Sequence, residues 1–362
     1  MGLERILRCL FLGLALTGCG ENDNNNSSGD KLNLGNERVV YTQKDEKSKK
    51  SKIVLRSIDG KIAKDITDNT NSPREPSVSP DGTNVAFSSH SDRNPEIYLM
   101  DINGNNVRSI TSTPLKGGSP SWSPDGKLIA FYSKNHYGNI FLIRENGSDL
   151  KQVTSFTSGS VYSGCLNSLS WSPDGQAIVF DSYALKEGSN AYSPHIYTVT
   201  SKGVVTLISK GYNEHPSWSP KRDRIAITNV IPDPDDNKRN IPVIHLIESA
   251  IFNPISPIDI IVEGSYPSWS PDGSKIIFKS KKDAATVLSL DGIRETFKFD
   301  GLEGRISWVP SSSISCGIDV ASLWYPKAKP KPADKSLELT AEDSQKALKE
   351  LASVIRKDNL FE

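Results

Sequence analysis

A single phrase returns along the chain and limits what it can fold into. It reads PSVSPDGTNVAF at 76–87, PSWSPDGKLIAF at 120–131 and LSWSPDGQAIVF at 169–180, then PSWSPKRDRIAI at 216–227 and PSWSPDGSKIIF at 267–278. A clipped copy, ISWVP, stands at 306–310. Its proline recurs at Pro80, Pro124, Pro173, Pro220, Pro271 and Pro310, giving gaps of 44, 49, 47, 51 and 39 residues. Self-similarity at that period, built from short strands, points to a β-propeller.

Each phrase has the same sequel: EIYLMDINGNNVRSIT (96–111), NIFLIRENGSDLKQVT (139–154), HIYTVTSKGVVTLIS (195–209) and ATVLSLDGIRETFKF (285–299). Two strands flank a turn tipped by Asn103-Gly104, Asn146-Gly147 or Asp291-Gly292. Such pairs supply the positive φ that two-residue hairpins need. Every repeat therefore holds strands A (SWS), B (KLIAF), C (IFLI) and D (LKQVT). The last copy offers only strand A. Its missing strands lie at the other end of the chain, where ERVVYT (37–42) matches B and KIVLRSIDGKIAKDIT (52–67) matches C and D. The expected fold is all-β: a six-bladed β-propeller of four-stranded antiparallel blades over 37–310. N-terminal strands B–D pair with C-terminal strand A, which removes the open sheet edge.

Trp122, Trp171, Trp218, Trp269 and Trp308 recur at one position, with Val78 in the first copy. Regular recurrence favours packing between blades over a stacking platform for sugars. Ser-Pro-Asp-Gly reads as the A–B turn: proline fixes φ, aspartate bonds backbone amides and glycine takes the strained position. Turn chemistry accounts for Asp81, Asp125, Asp174 and Asp272 without a calcium ion. The fourth copy carries Lys221-Arg222-Asp223 instead.

The chain ends carry different signals. Arg5 and Arg8 precede a short apolar stretch, Cys9 to Leu16, as in a secretion signal. Leu16-Thr17-Gly18-Cys19 resembles the lipobox of bacterial lipoproteins, which implies lipidation of Cys19; Gly20 after it suggests the outer membrane. Residues 20–36 are Asn/Ser-rich and too polar to fold, so they read as a tether. It would span about 20–25 Å r.m.s.. An extended Pro/Lys linker is expected over 311–336, followed by an amphipathic helix within 337–362. The helix, with Leu348, Leu351, Ala352 and Ile355 on one face, would dock on the propeller or bind a partner. Cys165 and Cys316 are expected to stay unpaired, on opposite faces of the ring.

The SWSPDG…IAF copies resemble the repeats of TolB-like propellers, related to WD-repeat proteins, over about 37–310. The resemblance implies a periplasm-facing envelope protein whose propeller binds a protein partner. It also brings in propellers that form oligogalacturonate lyases. Basic and acidic side chains balance at 43 each and form no basic stripe, so no nucleic acid partner is expected. Membrane attachment would run through Cys19, and the chain is expected to be a monomer.

Catalytic signatures are absent from the sequence: no G-x-S-x-G, His-Glu-x-x-His or Cys-x-x-Cys occurs. No cofactor is expected. The B–C and D–A loops share one face of the ring. They carry His90, His136, His195 and His215, which read either as surface histidines or as a metal cluster for a polysaccharide lyase or hydrolase. The longest excursions (155–168, 181–194 and 228–241) belong to the same face. Phe156, Tyr162, Tyr183 and Tyr192, with Tyr137 and Tyr212 from shorter loops, form a binding surface or cover the channel mouth. Asp233, Asp235 and Asp236 form an acidic tip. The expected function is a lipid-anchored, non-catalytic scaffold that presents this face to a protein or glycan. The alternative is the metal-dependent enzyme.

Overall fold

Strand B of each repeat is almost wholly apolar, which suits a strand buried on both faces. That is how it lies. The computed structural model describes residues 37–325 except 68–71, 90–94, 112–114, 158–167, 186–191, 222–223, 234, 237–238, 249–257, 282 and 312–318. The chain begins with β1 (Arg38–Lys44), β2 (Ser51–Ser57) and β3 (Ala63–Asp65). Blade one is β4 (Pro73–Val78), β5 (Asn84–Ser89), β6 (Glu96–Asp101) and β7 (Arg108–Ser109). Blade two is β8 (Gly117–Trp122), β9 (Leu128–Ser133), β10 (Asn139–Arg144) and β11 (Lys151–Gln152). Blade three is β12 (Leu169–Trp171), β13 (Ala177–Leu185), β14 (Tyr192–Thr200) and β15 (Val205–Ser209). Blade four is β16 (Asn213–Trp218), β17 (Arg224–Pro232), β18 (Asn240–Glu248) and β19 (Ile258–Glu263). Blade five is β20 (Ser265–Trp269), β21 (Lys275–Lys281), β22 (Ala284–Ser289) and β23 (Arg294–Lys298), and β24 (Leu302–Val309) follows.

Each blade is one four-stranded antiparallel sheet in the order A-B-C-D, and the sixth has the order β24-β1-β2-β3. In that sheet Val40 faces Leu55 on one side and Ser307 on the other. The two ends of the propeller sequence thus share a blade. Side chains alternate between the two blade interfaces with the period of two that strands impose. Val39 and Tyr41 enter the core between blades five and six, while Val40 enters the core between blades six and one. Among the described residues the buried apolar side chains form six clusters, one per interface.

The tryptophan column seals these interfaces. Trp122, Trp171, Trp269 and Trp308 donate their indole N–H to the carbonyls of Ser77, Ser121, Ser217 and Ser268, each on strand A of the preceding blade, at 3.0–3.2 Å. Trp218 differs: its backbone N–H meets the Ser170 hydroxyl at 2.9 Å. The A–B turns also follow their sequence logic. The Ser79 hydroxyl donates to Asp81 and accepts the Asn84 N–H, and Asp81 accepts the Thr83 N–H. Gly82, Gly126, Gly175 and Gly273 hold φ of 65–73°.

Three expectations need correction. The C–D turns are not two-residue hairpins, because Gly104, Gly147 and Gly292 alone take positive φ at their tips. Gly104 N–H closes on the Asp101 carbonyl, so a left-handed glycine follows a tighter turn, as in three-residue hairpins. The excursions 181–194 and 228–241 are largely ribbon: pairing continues to Leu185–Tyr192 and to Pro232–Asn240. Asp233 of the acidic tip is buried and bonded to Arg239, as part of the turn.

The third correction concerns the linker expected over 311–336. Within it, α1 (Val320–Trp324) docks on blades two and three. Trp324 is fully buried, sits edge-on to Trp171 at 5.3 Å, and bonds the Gly175 carbonyl. Asp125 accepts the Val320 N–H, Lys127 pairs with Asp319 at 2.9 Å, and Lys151 bonds the Trp324 carbonyl. Gly175 is required here: a Cβ on it would lie 2.3 Å from Val320. The helix expected in 337–362, Cys165 and Cys316 lie outside the described residues. Trp324→Ala should lower the unfolding free energy by about 3–5 kcal/mol in urea titration. Gly175→Ala should also destabilise the fold by evicting α1. Unchanged midpoints in both would show that α1 does not hold the ring.

Candidate functional site

The strands A touch one another in sequence around the channel, from β24 to β4, β8, β12, β16, β20 and back to β24. Three residues before the tryptophan position the A–B ladder breaks. The breaks fall between Arg74 and Ser77, Gly118 and Ser121, Glu214 and Ser217, and Ser265 and Ser268. Each is a β-bulge, which re-aims a side chain at the cost of one rung. The bulged residues Glu75, Ser119, His215 and Tyr266 have φ of 48–57°, and Gly304 of blade six has 67°. For the four non-glycine residues this strain costs on the order of 1 kcal/mol each.

Hydrogen bonds between blades hold the strained backbone. Glu75 accepts the Ser119 N–H at 2.7 Å and the Ser88 hydroxyl at 2.9 Å. Asp181 bridges the amides of Ser168 (2.9 Å) and His215 (3.3 Å). Thr228 accepts the Tyr266 N–H at 3.1 Å. The column Glu75, Ser119, Ser168, His215, Tyr266 and Arg305 differs in almost every copy, although the phrase beside it repeats.

Arg305 crosses the channel. Its guanidinium donates to the carbonyls of Pro120 (2.7 Å), Pro76 (3.3 Å) and Leu169 (3.4 Å), so blade six is tied to blades one, two and three. Burial lowers its pKa and Glu75 opposes that shift. Glu303 pairs with Lys44 at 3.2 Å and Arg74 at 3.4 Å.

Above Arg305 lies a cavity of about 260 Å³, lined by Thr42, Arg74, Glu75, Ser119, Ser168, Glu214, His215, Tyr266, Glu303, Gly304 and Arg305. The His215 and Tyr266 rings lie against each other with centroids 3.8 Å apart, tilted by 36°. Burial depresses the pKa of His215 to about 3, so its ring is neutral. Burial, then Glu214, Glu75, Asp181 and Glu303, push the Tyr266 phenol up to about 12. Burial also raises the Glu214 pKa, against a hydrogen bond from Tyr183. Three buried polar atoms on this one lining have no hydrogen-bond partner among the described residues: Thr42 Oγ1, Arg74 Nε and His215 Nδ1. Buried polar atoms are nearly always paired, so three at one cavity mark a place built to meet something else.

The sequence-predicted residues divide. His215 lies in the cavity wall, and the Tyr183 hydroxyl reaches Glu214 at 3.4 Å. Tyr137, Tyr192 and Tyr212 are exposed. His136 meets the Phe141 edge and the Ser133 hydroxyl, while His195 stacks on Tyr197. Neither histidine lines the cavity. Phe156 is not on the binding face: it is buried in the core between blades two and three, because Asn139 pins its backbone inward. Tyr162 and His90 lie outside the described residues. Among the described residues no three His, Cys, Asp or Glu side chains gather at metal-binding distance. Sequence reasoning missed Glu75, Glu214, Tyr266 and Arg305; the odd column in a regular repeat was the signal for Glu75, Tyr266 and Arg305, and Glu214 stands one residue before it.

The His215 environment predicts a pH effect. The unfolded chain takes up this proton near pH 6.5, whereas the folded chain resists it down to about 3. The stability contributed by the neutral ring is therefore complete above 6.5 and declines as pH falls toward 3. Thermal melts from pH 7.5 to 4.5 should show wild type losing stability more steeply than His215→Gln, by up to about 1.4 kcal/mol per pH unit. Parallel profiles would contradict the buried neutral histidine.

A family model described as TolB beta propeller domain matches residues 34–180. No match emerges among curated proteins. Among solved structures, TolB from Acinetobacter baumannii is similar at 24% identity and TM-score 0.59, covering 76% of this chain and 68% of that one. A putative TolB from Agrobacterium tumefaciens is similar at 18% identity and TM-score 0.52, covering 76% and 99%. A chain of a nidogen/laminin complex shares the fold at 14% identity and TM-score 0.55, covering 76% and 99%. With its ring of six four-stranded blades the chain is a six-bladed β-propeller, and over residues 34–180 its repeats are similar to the TolB beta propeller domain.

Proposed function

We propose that this chain is a lipid-anchored, non-catalytic binding protein of the cell envelope, presenting the channel-mouth face to a protein or glycan partner. The observation that carries this reading is the cavity lined by strained bulge residues, where among the described residues three buried polar atoms, Thr42 Oγ1, Arg74 Nε and His215 Nδ1, lack a partner. Strain of that kind is retained where a site needs a particular side-chain direction. Exposed Tyr137, Tyr192 and Tyr212 supply the amphipathic rings that interfaces favour. The TolB-like fold supports a scaffold role, and the lipobox-like Leu16–Cys19 supports anchoring. The lyase reading has no donor set behind it among the described residues.

Two measurements test this proposal. A photo-crosslinking residue in place of Tyr212 should capture a discrete partner in intact cells, whereas one in place of Val204, exposed on a C–D turn, should not. Equal capture at both positions, or at neither, would refute the face assignment. Cys19→Ser should move the protein from the membrane fraction to the soluble fraction. Retention in the membrane would refute the anchor.

A further inference from the structure

The charges on the cavity wall are unevenly matched. Arg74 and Arg305 face Glu75, Glu214 and Glu303, and Glu303 is also met by Lys44. Both guanidiniums are engaged, Arg74 by Glu303 and Arg305 by three carbonyls. Glu75 accepts two hydrogen bonds and lies near Arg305. Glu214 is different: among the described residues its one hydrogen-bond partner is the Tyr183 hydroxyl, and no cation pairs with it. The neighbouring imidazole of His215 is neutral, so it brings no charge. The carboxylates Glu214, Glu75, Asp181 and Glu303 all raise the Tyr266 pKa, after burial. The part of the cavity at blades four and five thus presents the Glu214 carboxylate beside the tilted His215–Tyr266 ring pair.

From this geometry we infer that the cavity is a socket for one organic cation, the ammonium or guanidinium of a lysine or arginine side chain on a protein partner. The inference rests on the binding reading above and specifies the chemistry of the same site. Glu214 supplies the countercharge, which a half-buried carboxylate needs to offset its desolvation. The Tyr266 ring offers a π face, which attracts a desolvated cation. The unpartnered Thr42 Oγ1 and His215 Nδ1 lie in the same wall. At about 260 Å³ the space is below the range of about 300–1,000 Å³ typical of drug-sized ligands, so it suits one side chain. A divalent metal fits less well, because no three-ligand group forms among the described residues.

Calorimetric titration with acetyl-Gly-Lys-Gly-amide tests the inference on the full chain. Wild type should bind it at least tenfold more tightly than the Nε-acetyl-lysine peptide or the Gly-Glu-Gly counterpart. Glu214→Gln, an isosteric change, should remove that tenfold preference, with folding checked by circular dichroism. The comparison among peptides on wild type needs no variant. Butylammonium chloride serves as the free-cation arm; binding as tight as that of the peptide would point to a small amine instead of a protein side chain and overturn the partner assignment. No binding of the lysine peptide, or equal binding of the acetylated one, would overturn the inference. If crosslinking at position 212 still captured a partner, the binding reading would stand without it.

Discussion

The pairing of β1 with β24 is the constraint on which the rest of the molecule depends. Five blades joined only in sequence would leave two exposed sheet edges and an interface with no partner. Seating β24 beside β1 completes the sixth sheet and brings blade six against both of its neighbours. The Trp308 indole then bonds blade five, and Ser307 accepts the Val78 N–H of blade one, where the tryptophan is missing. Closure therefore converts six marginal sheets into a ring in which each interface has its own buried cluster.

The same closure creates the candidate site. Arg305 belongs to the C-terminal strand, and Thr42 to the N-terminal one. Only a closed ring places them in one channel with Glu75, Glu214 and Tyr266. The bulges aim those side chains inward, and the bonds from Glu75, Asp181 and Thr228 to neighbouring blades' amides keep them there. Stability and recognition share these atoms: a side chain that locks one blade to the next also shapes the wall that a ligand would meet.

The architecture was legible because it is repetitive. The period, the Ser-Pro-Asp-Gly turns, the tryptophan column and the split blade all follow from a phrase seen several times over. The site was harder to read because binding residues are the ones that break the repeat. Comparing the copies from Pro76 onward stops one residue short of Glu75, and so misses the column that ends in Arg305. Aromatic content on loops was a weaker guide. Phe156 is apolar enough to be drawn into the core, whereas the exposed tyrosines keep a polar hydroxyl. The α1 clasp had a signal too: of six tryptophans five fill the column, and Trp324 is the one left over. Five residues are too few for helical periodicity to register, and the pocket they fill depends on a tertiary contact at Gly175.

Ring closure is tested most directly by joining its seam covalently. Val40 and Ser307 face each other across antiparallel strands, where Cα atoms lie about 4.5–5.5 Å apart, within the span of a disulfide. With Cys165 and Cys316 replaced by serine, Val40→Cys and Ser307→Cys together should form an intramolecular disulfide on mild oxidation and leave a monomer of native circular dichroism. Free thiols in the folded, oxidised protein, or bonds formed only between chains, would contradict a propeller closed by its own two ends.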